Sequence, residues 1–374
     1  MKIISNIQTQ YKCSVKPIKL IVSGGGTGGH IYPALAIASE LKAQSPDSEV
    51  LFVGARGKME MEKVPRAGFS IKGLWISGFQ RRFTLGNLLF PLKVLVSLIQ
   101  AYVIIKQFKP SVVVGTGGFA SGSILQIAQW LKLPNLIQEQ NSYPGITNRI
   151  LSKKVDAICV AFEGMERYFP KPKIKITGNP IRAQLQELSS GKSAKSFFGL
   201  NSKKPVLAII GGSLGAKVIN ELIAEQLPTF QKLDLQLLWQ CGALYHEKYK
   251  SLESEHIIIR PFIYEMDQFY AAADFLISRA GAGSLSELCC IAKPLLLIPS
   301  PNVTANHQYH NAMALANKGG AFVVEEPHLE SDFKNRLEQL VTDRDIQNEM
   351  KQALKGLAKP NATKEIIKEI KRLL

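Results

Sequence analysis

Cysteine is scarce in this 374-residue chain: the five cysteines form no C-x-x-C pair and no set with histidine at metal-ligand spacing. This argues against a disulfide framework and a zinc ribbon, and reduced thiols are typical of a cytosolic protein. No uncharged apolar run reaches 18 residues, which disfavours a transmembrane helix. Residues 1–16 carry three lysines and no apolar core, so we expect an N-terminal extension rather than a signal peptide.

Acidic residues are also few. The chain has 46 Lys and Arg against 30 Asp and Glu, a formal charge of +16. Such a balance favours anionic partners, namely nucleic acid, acidic lipid or phosphorylated substrates. The basic residues are dispersed and lack interleaved aromatics, so we expect no nucleic-acid partner. The length and the 46% hydrophobic content predict a globular protein of two domains.

A glycine-rich motif, GGGTGGH at 24–30, follows the first apolar run. Glycines expose backbone N–H groups, and the helix that follows directs its positive end at the same place, which favours a phosphorylated ligand. A tight turn without ligand is the alternative.

Two nucleotide-binding signatures are incomplete. Gly24, Gly26 and Gly29 satisfy G-x-G-x-x-G, but the second strand runs into Gly-Ala-Arg-Gly at 54–57 without the carboxylate that holds a dinucleotide ribose. The triplet Gly-Lys-Ser at 191–193 has Gln186 where a P-loop needs its leading glycine. An NAD-linked oxidoreductase and a P-loop NTPase are therefore disfavoured.

The most apolar stretch, residues 83–105, is interrupted by Pro91 and Lys93. Helical spacing predicts one helix face packed on a sheet, formed by Leu95, Leu98, Ile99 and Tyr102. The preceding residues mix basic and large apolar side chains, as a membrane-surface loop does: Phe79, Arg81, Arg82, Phe83, Leu85, Leu88, Leu89 and Phe90. An ordinary core and loop is the alternative for this segment.

Strands alternate with helices along the whole chain, which predicts an α/β fold with parallel, doubly wound sheets. The two halves share one order of glycine-rich turns, GGGTGG and GTGGFASG in the first and GGSLGA and AGAGS in the second. We assign 17–182 and 183–355 to two domains and 356–374 to a C-terminal helix. Residues 177–182 and the polar stretch to Lys204 are interpreted as a linker.

Eight motifs occur in one order: GGGTGGH, GTGGFASG, EQNSYPGITNR, TGNPIR, GGSLGA, PFI, SRAGAGSLSE and NHQYHNA. In these motifs the chain resembles the MurG family over residues 18–370. The resemblance implies a GT-B fold, two Rossmann-like domains facing each other across a cleft. It further implies an N-terminal acceptor and membrane domain, a C-terminal UDP-GlcNAc domain, and a last helix that returns to the first domain.

For function, the resemblance implies inverting, metal-independent transfer of N-acetylglucosamine from UDP-GlcNAc to the 4-hydroxyl of MurNAc-pentapeptide in lipid I, which gives lipid II. The implied partners are UDP-GlcNAc, lipid I, an anionic membrane surface and other cell-wall synthesis proteins, with no cofactor. The implied location is the cytoplasmic face of the inner membrane, where the protein is peripheral. A GT-B transferase acting on another lipid and a non-catalytic sugar-nucleotide-binding protein are the alternatives.

The resemblance also implies site residues. His30 is the candidate general base, because an imidazole is suited to take the proton of the acceptor hydroxyl; a structural role in its loop and a role in positioning the acceptor are the alternatives. Glu287 matches the carboxylate that holds the ribose, Ile263 a backbone contact to uracil, and Gln308 a contact to the donor sugar. An ordinary first-turn glutamate favoured by the helix dipole is the alternative for Glu287. The complete set of substrate-binding positions is Thr27, Gly28, Gly29, Asn141, Arg182, Ser213, Ile263, Ala282, Gly283, Ser284, Leu285, Ser286, Glu287 and Gln308.

One acidic triplet, Asp343-Arg344-Asp345, has the form of a metal-binding Asp-x-Asp motif. It lies far along the chain from the nucleotide motifs, and we interpret it as a helix cap. We therefore predict no metal ligand. Leu214, Gly283 and Phe119 depart from residues common in the family, so the side-chain contacts at those positions are not carried over.

Overall fold

The structure is a computed structural model that describes residues 17–78, 89–182, 185 and 188–374. The expected extension at 1–16 and most of the expected membrane-surface loop, 79–88, lie outside these residues.

The first domain contains a parallel sheet with helices on both faces. Its strands are β1 Lys19–Gly24, β2 Glu49–Ala55, β3 Ser70–Leu74, β4 Val112–Gly117, β5 Asn135–Glu139, β6 Ala157–Val160 and β7 Ile174–Ile176. Its helices are α1 Gly28–Gln44, α2 Glu60–Arg66, α3 Phe90–Phe108, α4 Phe119–Trp130 and α5 Ile146–Leu151. The strand order is β3-β2-β1-β4-β5-β6-β7.

The second domain repeats this architecture. Its strands are β8 Val206–Ile210, β9 Gln236–Gln240, β10 Ile257–Arg260, β11 Phe275–Ser278, β12 Leu295–Leu297 and β13 Phe322–Val323. Its helices are α6 Gly191–Phe197, α7 Lys217–Glu225, α8 Leu227–Lys232, α9 His246–Tyr249, α10 Met266–Ala272, α11 Ala282–Ile291, α12 His307–Ala316, α13 Leu329–Thr342 and α14 Arg344–Leu357; α15 Ala362–Arg372 ends the chain. The strand order is β10-β9-β8-β11-β12-β13.

Both sheets confirm the predicted doubly wound α/β fold. The central strands are buried on both faces, as in β1 and β8, which is why they read as continuous apolar runs rather than alternating ones. Strand order reverses between β1 and β4 and again between β8 and β11. Ligands of such sheets bind at the carboxyl ends beside this reversal, and the glycine-rich turns follow these strands.

The predicted linker is wrong in its second part. Residues 191–197 form α6, which Ser190 caps by accepting a hydrogen bond from the Ser193 N–H, and α6 packs on α10. Lys195 is buried and ion-paired to Asp274 at 2.7 Å. The segment 191–197 is polar in composition, but it packs on the second domain because Ala194 and the aliphatic part of Lys195 are buried there.

The last helix, α15, packs on α1 of the first domain. Ile366, Ile367 and Ile370 lie in the same apolar cluster as Ile37 and other residues of α1. Lys371 Nζ donates to Gln44 Oε1 at 2.8 Å. The chain thus crosses back to its first domain after the second is complete.

The predicted packing face of α3 is wrong for three of its four residues; Leu98 packs against the core of the first domain, as predicted. Leu95 and Ile99 are each 56% exposed and Tyr102 is 45% exposed. The helix packs on α4 through small residues instead: Ser97 and Ala101 are buried, and Ser97 Oγ lies 2.8 Å from Ser123 Oγ. Because both faces of α3 are apolar, its packing leaves an apolar face on the surface of the domain.

Candidate active site

The first glycine loop packs directly on the turn after β4. Gly25 N–H donates to the Gly117 carbonyl at 3.3 Å. A Cβ on Gly24 would stand 1.9 Å from Thr116 Oγ1, so only glycine allows this approach. Two glycine-rich turns that are far apart in sequence therefore form one surface, on which Thr27 and Gly29 are exposed.

A buried carboxylate that the sequence did not point to supports this loop. Glu60, at the start of α2, is fully buried; its Oε2 accepts from the Gly26 N–H at 2.9 Å and its Oε1 from the Ala55 N–H at 3.0 Å. The Gly26 amide is therefore satisfied within the protein. The His30 and Ile31 amides donate to the Thr27 carbonyl, so an anion at this loop would be left the amides of Thr27, Gly28 and Gly29.

The ring of His30 is oriented by the backbone. Its Nδ1 lies 3.0 Å from the carbonyl oxygen of Gly25, which can only accept, so this contact assigns the proton to Nδ1. The lone pair then lies on Nε2, on the side of Gly117, where a Cβ would come within 2.8 Å of that nitrogen. A neutral imidazole held in this tautomer can take a proton at Nε2.

The EQN motif forms a rigid loop around Glu139. This carboxylate is buried at the end of β5, and it accepts from Asn141 N–H at 3.0 Å, Gly145 N–H at 3.2 Å and Asn148 Nδ2 at 2.8 Å. Asn141 is half-buried, and its Nδ2 donates to the same carboxylate. The position of Asn141 is therefore set before any ligand binds.

In the second domain, Ser213 is exposed in the turn between β8 and α7. Gln240, at the end of β9, ties this turn to the PFI motif: its Nε2 donates to the Gly212 carbonyl at 3.1 Å, and its Oε1 accepts from Ile263 N–H at 2.8 Å. Because this bond occupies the Ile263 N–H, the carbonyl is the backbone group that Ile263 can offer to a base.

Residues Ala282 to Glu287 form the first turns of α11, and the chain enters this helix through Gly281. The Leu285 side chain is fully buried in the core, so any ligand contact at this position comes from its backbone. The Ser286 hydroxyl donates to the Ala282 carbonyl at 3.0 Å. Gly283 is exposed and Ser284 is half-buried at the helix start, where amides and the helix dipole favour an anion.

Glu287 is held by two partners. Tyr270 Oη donates to Oε2 at 3.0 Å, and Arg182 Nε lies 3.4 Å from Oε1. Burial raises the pKa of Glu287, while the Arg182 charge and the Tyr270 hydrogen bond act to lower it. The pKa of Tyr270 is itself well above its ordinary value because of burial and the adjacent carboxylate. Tyr270 lies outside the eight motifs, and nothing in the sequence pointed to it.

Gln308 stands in the first turn of α12. Its Oε1 accepts from the Ser300 N–H at 2.9 Å, so its Nε2 is the group that it presents to a ligand. The preceding Ala305 and Asn306 adopt left-handed backbone, with φ of 54° and 49°, which turns the chain sharply into the helix.

Predicted site residues from both domains meet at one junction. Arg182, just beyond the first domain's last strand, reaches Glu287 on α11, and α1, which carries His30, contacts α11. Asn141 of the first domain accepts a hydrogen bond from Asn311 on α12. The described structure therefore joins Arg182, the EQN loop and α1 of the first domain to α11 and α12 of the second.

The acidic triplet at 343–345 is a helix cap, as predicted. The Asp343 side chain accepts from the N–H groups of Asp345 and Ile346, each at 3.0 Å, at the start of α14. Within the described residues, no group of three His, Cys, Asp or Glu side chains is placed to hold a metal ion.

Comparison with known proteins places the chain in a family. Residues 20–160 match the glycosyltransferase family 28 N-terminal domain and residues 206–370 the C-terminal domain of the same family. The crystal structure of MurG from Acinetobacter baumannii superposes with a TM-score of 0.77 at 28% identity, covering 95% of this chain and 100% of that one. The chain belongs to the MurG family.

Curated relatives agree with this MurG assignment. A protein of Flavobacterium psychrophilum is 52% identical over 95% of this chain and 98% of its own, and one of Parabacteroides distasonis is 44% identical over 96% and 99%. Both are named UDP-N-acetylglucosamine--N-acetylmuramyl-(pentapeptide) pyrophosphoryl-undecaprenol N-acetylglucosamine transferase. A UDP-N-acetylglucosamine 2-epimerase shares the fold at a TM-score of 0.64 and 17% identity.

Proposed function

We propose that this MurG-family protein transfers N-acetylglucosamine from UDP-GlcNAc to the 4-hydroxyl of MurNAc-pentapeptide in lipid I, giving lipid II. The observation that carries the proposal is the contact of α1, the helix whose first turn contains His30, with α11, the helix that carries Glu287, at the junction of the two domains. Curated relatives at 42% to 52% identity all bear the same transferase name, which favours this acceptor over another lipid and favours an enzyme over a non-catalytic binding protein.

The donor binds mainly to the second domain. The uracil contacts the backbone carbonyl of Ile263, the ribose hydroxyls donate to Glu287, and the diphosphate lies against Ser213 and the amides of Ala282, Gly283 and Ser284. The next amide of α11, that of Leu285, already donates to the Gly281 carbonyl. Gln308 contacts the sugar through its Nε2. Arg182, whose guanidinium is about half exposed beside Glu287, keeps that carboxylate ionised and adds charge toward the diphosphate.

Catalysis in this proposal follows the tautomer of His30. Its Nε2 takes the proton of the acceptor hydroxyl as that oxygen attacks C1 of the sugar from the face opposite UDP. The C1–O bond to UDP breaks and the diphosphate leaves with the bonding electrons, so the configuration at C1 inverts. Helix amides at the start of α11 stabilise the charge on the leaving group, and no metal is required.

The acceptor binds to the first domain, residues 17–182, with its diphosphate at the first glycine loop and the neighbouring turn at 115–118. From the same domain, Thr27, Gly28, Gly29 and Asn141 contact the donor. Residues 183–355 form the donor domain, and the helix in 356–374 returns to the first. From the sequence we also predict that other cell-wall synthesis proteins are partners of this protein.

The face of α3 left exposed by its packing is the proposed membrane contact, at the cytoplasmic face of the inner membrane. Among the described residues, α3 is long and apolar enough to cross a bilayer, but Ser97, Ala101 and Ile105 are buried in the domain. The helix therefore lies along the surface of the membrane. Lys106 stands 5.5 Å over the Tyr102 ring, a cation beside apolar area that suits the headgroup region.

A single assay tests the chemistry. Purified protein is incubated with UDP-GlcNAc and a short-chain lipid I analogue in EDTA, and the linkage of the disaccharide is read by NMR. We expect acceptor-dependent product with a β linkage from the α-linked donor, at the same rate with and without EDTA. An α-linked product would refute inversion, a rate restored only by added Mg²⁺ would refute metal independence, and no product would refute the transferase.

A further inference from the structure

A fully buried asparagine, Asn311, lies at the domain junction on the second turn of α12. Its Oδ1 accepts from the backbone N–H of Ser142 at 2.9 Å and from the Ser142 hydroxyl at 3.1 Å. Its Nδ2 donates to Asn141 Oδ1 at 3.2 Å and to the Ala280 carbonyl at 3.4 Å. One side-chain amide thus joins two loops that come from different domains.

The chemistry of these partners fixes which way the Asn311 amide points. A backbone N–H can only donate, so Oδ1 must face Ser142, and Nδ2 must then face the two oxygens. The orientation of the Asn141 amide is fixed in the same way, because its Oδ1 accepts from Asn311 and its Nδ2 donates to the Glu139 carboxylate at 3.2 Å. The chain of bonds from Glu139 to Asn311 therefore sets the orientation of the Asn141 amide.

The other end of this network reaches the donor segment. Ala280 precedes α11, so the bond from Asn311 ties the EQN loop of the first domain to the start of the helix that carries Glu287. Asn179 makes a parallel connection: its Nδ2 donates to the Gln140 carbonyl at 3.0 Å and to Ser286 Oγ at 3.1 Å. Both buried amides cross the junction between the EQN loop and α11.

We propose that Asn311 is a positioning residue for the transfer reaction, which holds Asn141 in register with the N-terminus of α11 across the domain junction. It acts through Asn141 and the backbone of Ala280 and does not itself touch substrate. The inference rests on the proposed function, in which Asn141 belongs to the substrate site.

Asn311→Asp is the direct test, because it keeps the size and the acceptor while replacing both N–H donors by an oxygen that faces Asn141 Oδ1 and the Ala280 carbonyl. We expect kcat/KM for UDP-GlcNAc to fall roughly tenfold or more in the folded protein. Asn220→Asp is the matched control. Asn220 is equally buried within the second domain, where it accepts from Trp239 Nε1 at 3.0 Å and donates to the Cys241 carbonyl at 2.8 Å.

Asn311→Asp and Asn220→Asp are both expected to lower the melting temperature. Only Asn220→Asp should leave kcat/KM of the folded fraction within about twofold of wild type, because it breaks no bond across the domain junction. A double-mutant cycle with Asn141→Ala separates positioning from general damage. If Asn311 acts through Asn141, the two substitutions are non-additive, and the Asn311→Asp effect shrinks in the Asn141→Ala background to the part that the Ala280 bond carries. Additive losses would overturn the proposal.

Ser142→Ala serves if Asn311→Asp does not fold, since it removes only the hydroxyl that donates to Asn311 Oδ1. We expect a loss of several-fold in kcat/KM that is again non-additive with Asn141→Ala; an additive loss or no loss would overturn the proposal. The failures of the two proposals are distinguishable. A wild type that neither binds UDP-GlcNAc nor transfers the sugar refutes the proposed function and this inference with it, whereas an active wild type with an additive cycle refutes the positioning role alone.

Discussion

Replacing Leu95 and Ile99 by glutamine should weaken binding of the protein to anionic membranes without unfolding it. Both side chains lie on the exposed apolar face of α3, each 56% exposed, and glutamine keeps the helix propensity of the position. Because neither residue is in the core, we expect the free energy of unfolding to stay within about 0.5 kcal/mol of wild type.

The size of the effect follows from the exposed area. Complete burial of a leucine or isoleucine side chain stabilises by about 1.5–3 kcal/mol, so burying the exposed half of each residue in the membrane contributes roughly 1 kcal/mol. Losing both contributions, about 2 kcal/mol, corresponds to roughly a 30-fold weaker partition coefficient.

The assay is cosedimentation with vesicles rich in phosphatidylglycerol, over a range of lipid concentrations. Leu244→Gln is the control, because Leu244 is 79% exposed and belongs to the second domain, whereas α3 belongs to the first. The control should bind as wild type does. If the double variant and the wild type bind with equal affinity, or if Leu244→Gln weakens binding as much, α3 is not the membrane face.

Two further predictions concern the site. Glu60→Gln should lower the free energy of unfolding by about 1–3 kcal/mol and slow transfer, because a glutamine cannot accept from both the Gly26 and the Ala55 N–H. Glu62→Gln, on the exposed side of the same helix, is the control and should change neither stability nor rate. Thermal denaturation measures the first effect and kcat the second. The affinity for UDP-GlcNAc, measured by calorimetric titration at several pH values, should fall as the pH is lowered. The midpoint should lie above the ordinary glutamate pKa of 4.5, because burial raises the pKa of Glu287 and only the ionised carboxylate accepts two ribose hydroxyls. Arg182→Ala removes the charge that lowers this pKa and should move the midpoint upward; a wild-type profile that is flat down to pH 4.5 would contradict the assignment.

The fold class could be predicted from the sequence because the patterns that indicate it lie within short segments of the chain. Buried parallel strands are continuous apolar runs, and glycine-rich turns mark where they end, so the doubly wound order could be predicted. The face of α3 could not, since helical spacing identifies faces but does not choose between two apolar ones. Packing chose the face with Ser97 and Ala101, whose small side chains allow α4 to approach. The helix at 191–197 was missed because its composition is polar, although Ser190 was a readable cap signal.

The candidate site also has a part that the sequence predicts and a part that it does not. Its glycine loops and the EQN motif are short segments, visible in one window of sequence. The side chains that hold those loops have distant partners: Gln240 bonds Ile263 across 23 residues, Glu60 bonds Gly26 across 34, and Asn311 bonds Ser142 across 169. A polar residue inside an apolar strand, such as Gln240 at the end of β9, is the signal that points to such a role. Its partner emerges only from the fold.

The most direct test of the central claim is the rate of labelled GlcNAc transfer from UDP-GlcNAc to a lipid I analogue by the wild type, Glu287→Gln and Glu369→Gln. Glu369 is the matched control, a carboxylate of similar burial that is paired to Arg372 on the last helix, distant in sequence from the donor motifs. We expect transfer by the wild type and by Glu369→Gln, with kcat/KM for UDP-GlcNAc reduced at least about tenfold in Glu287→Gln. Equal rates in all three would contradict the donor site, and no transfer by any of them would contradict the function.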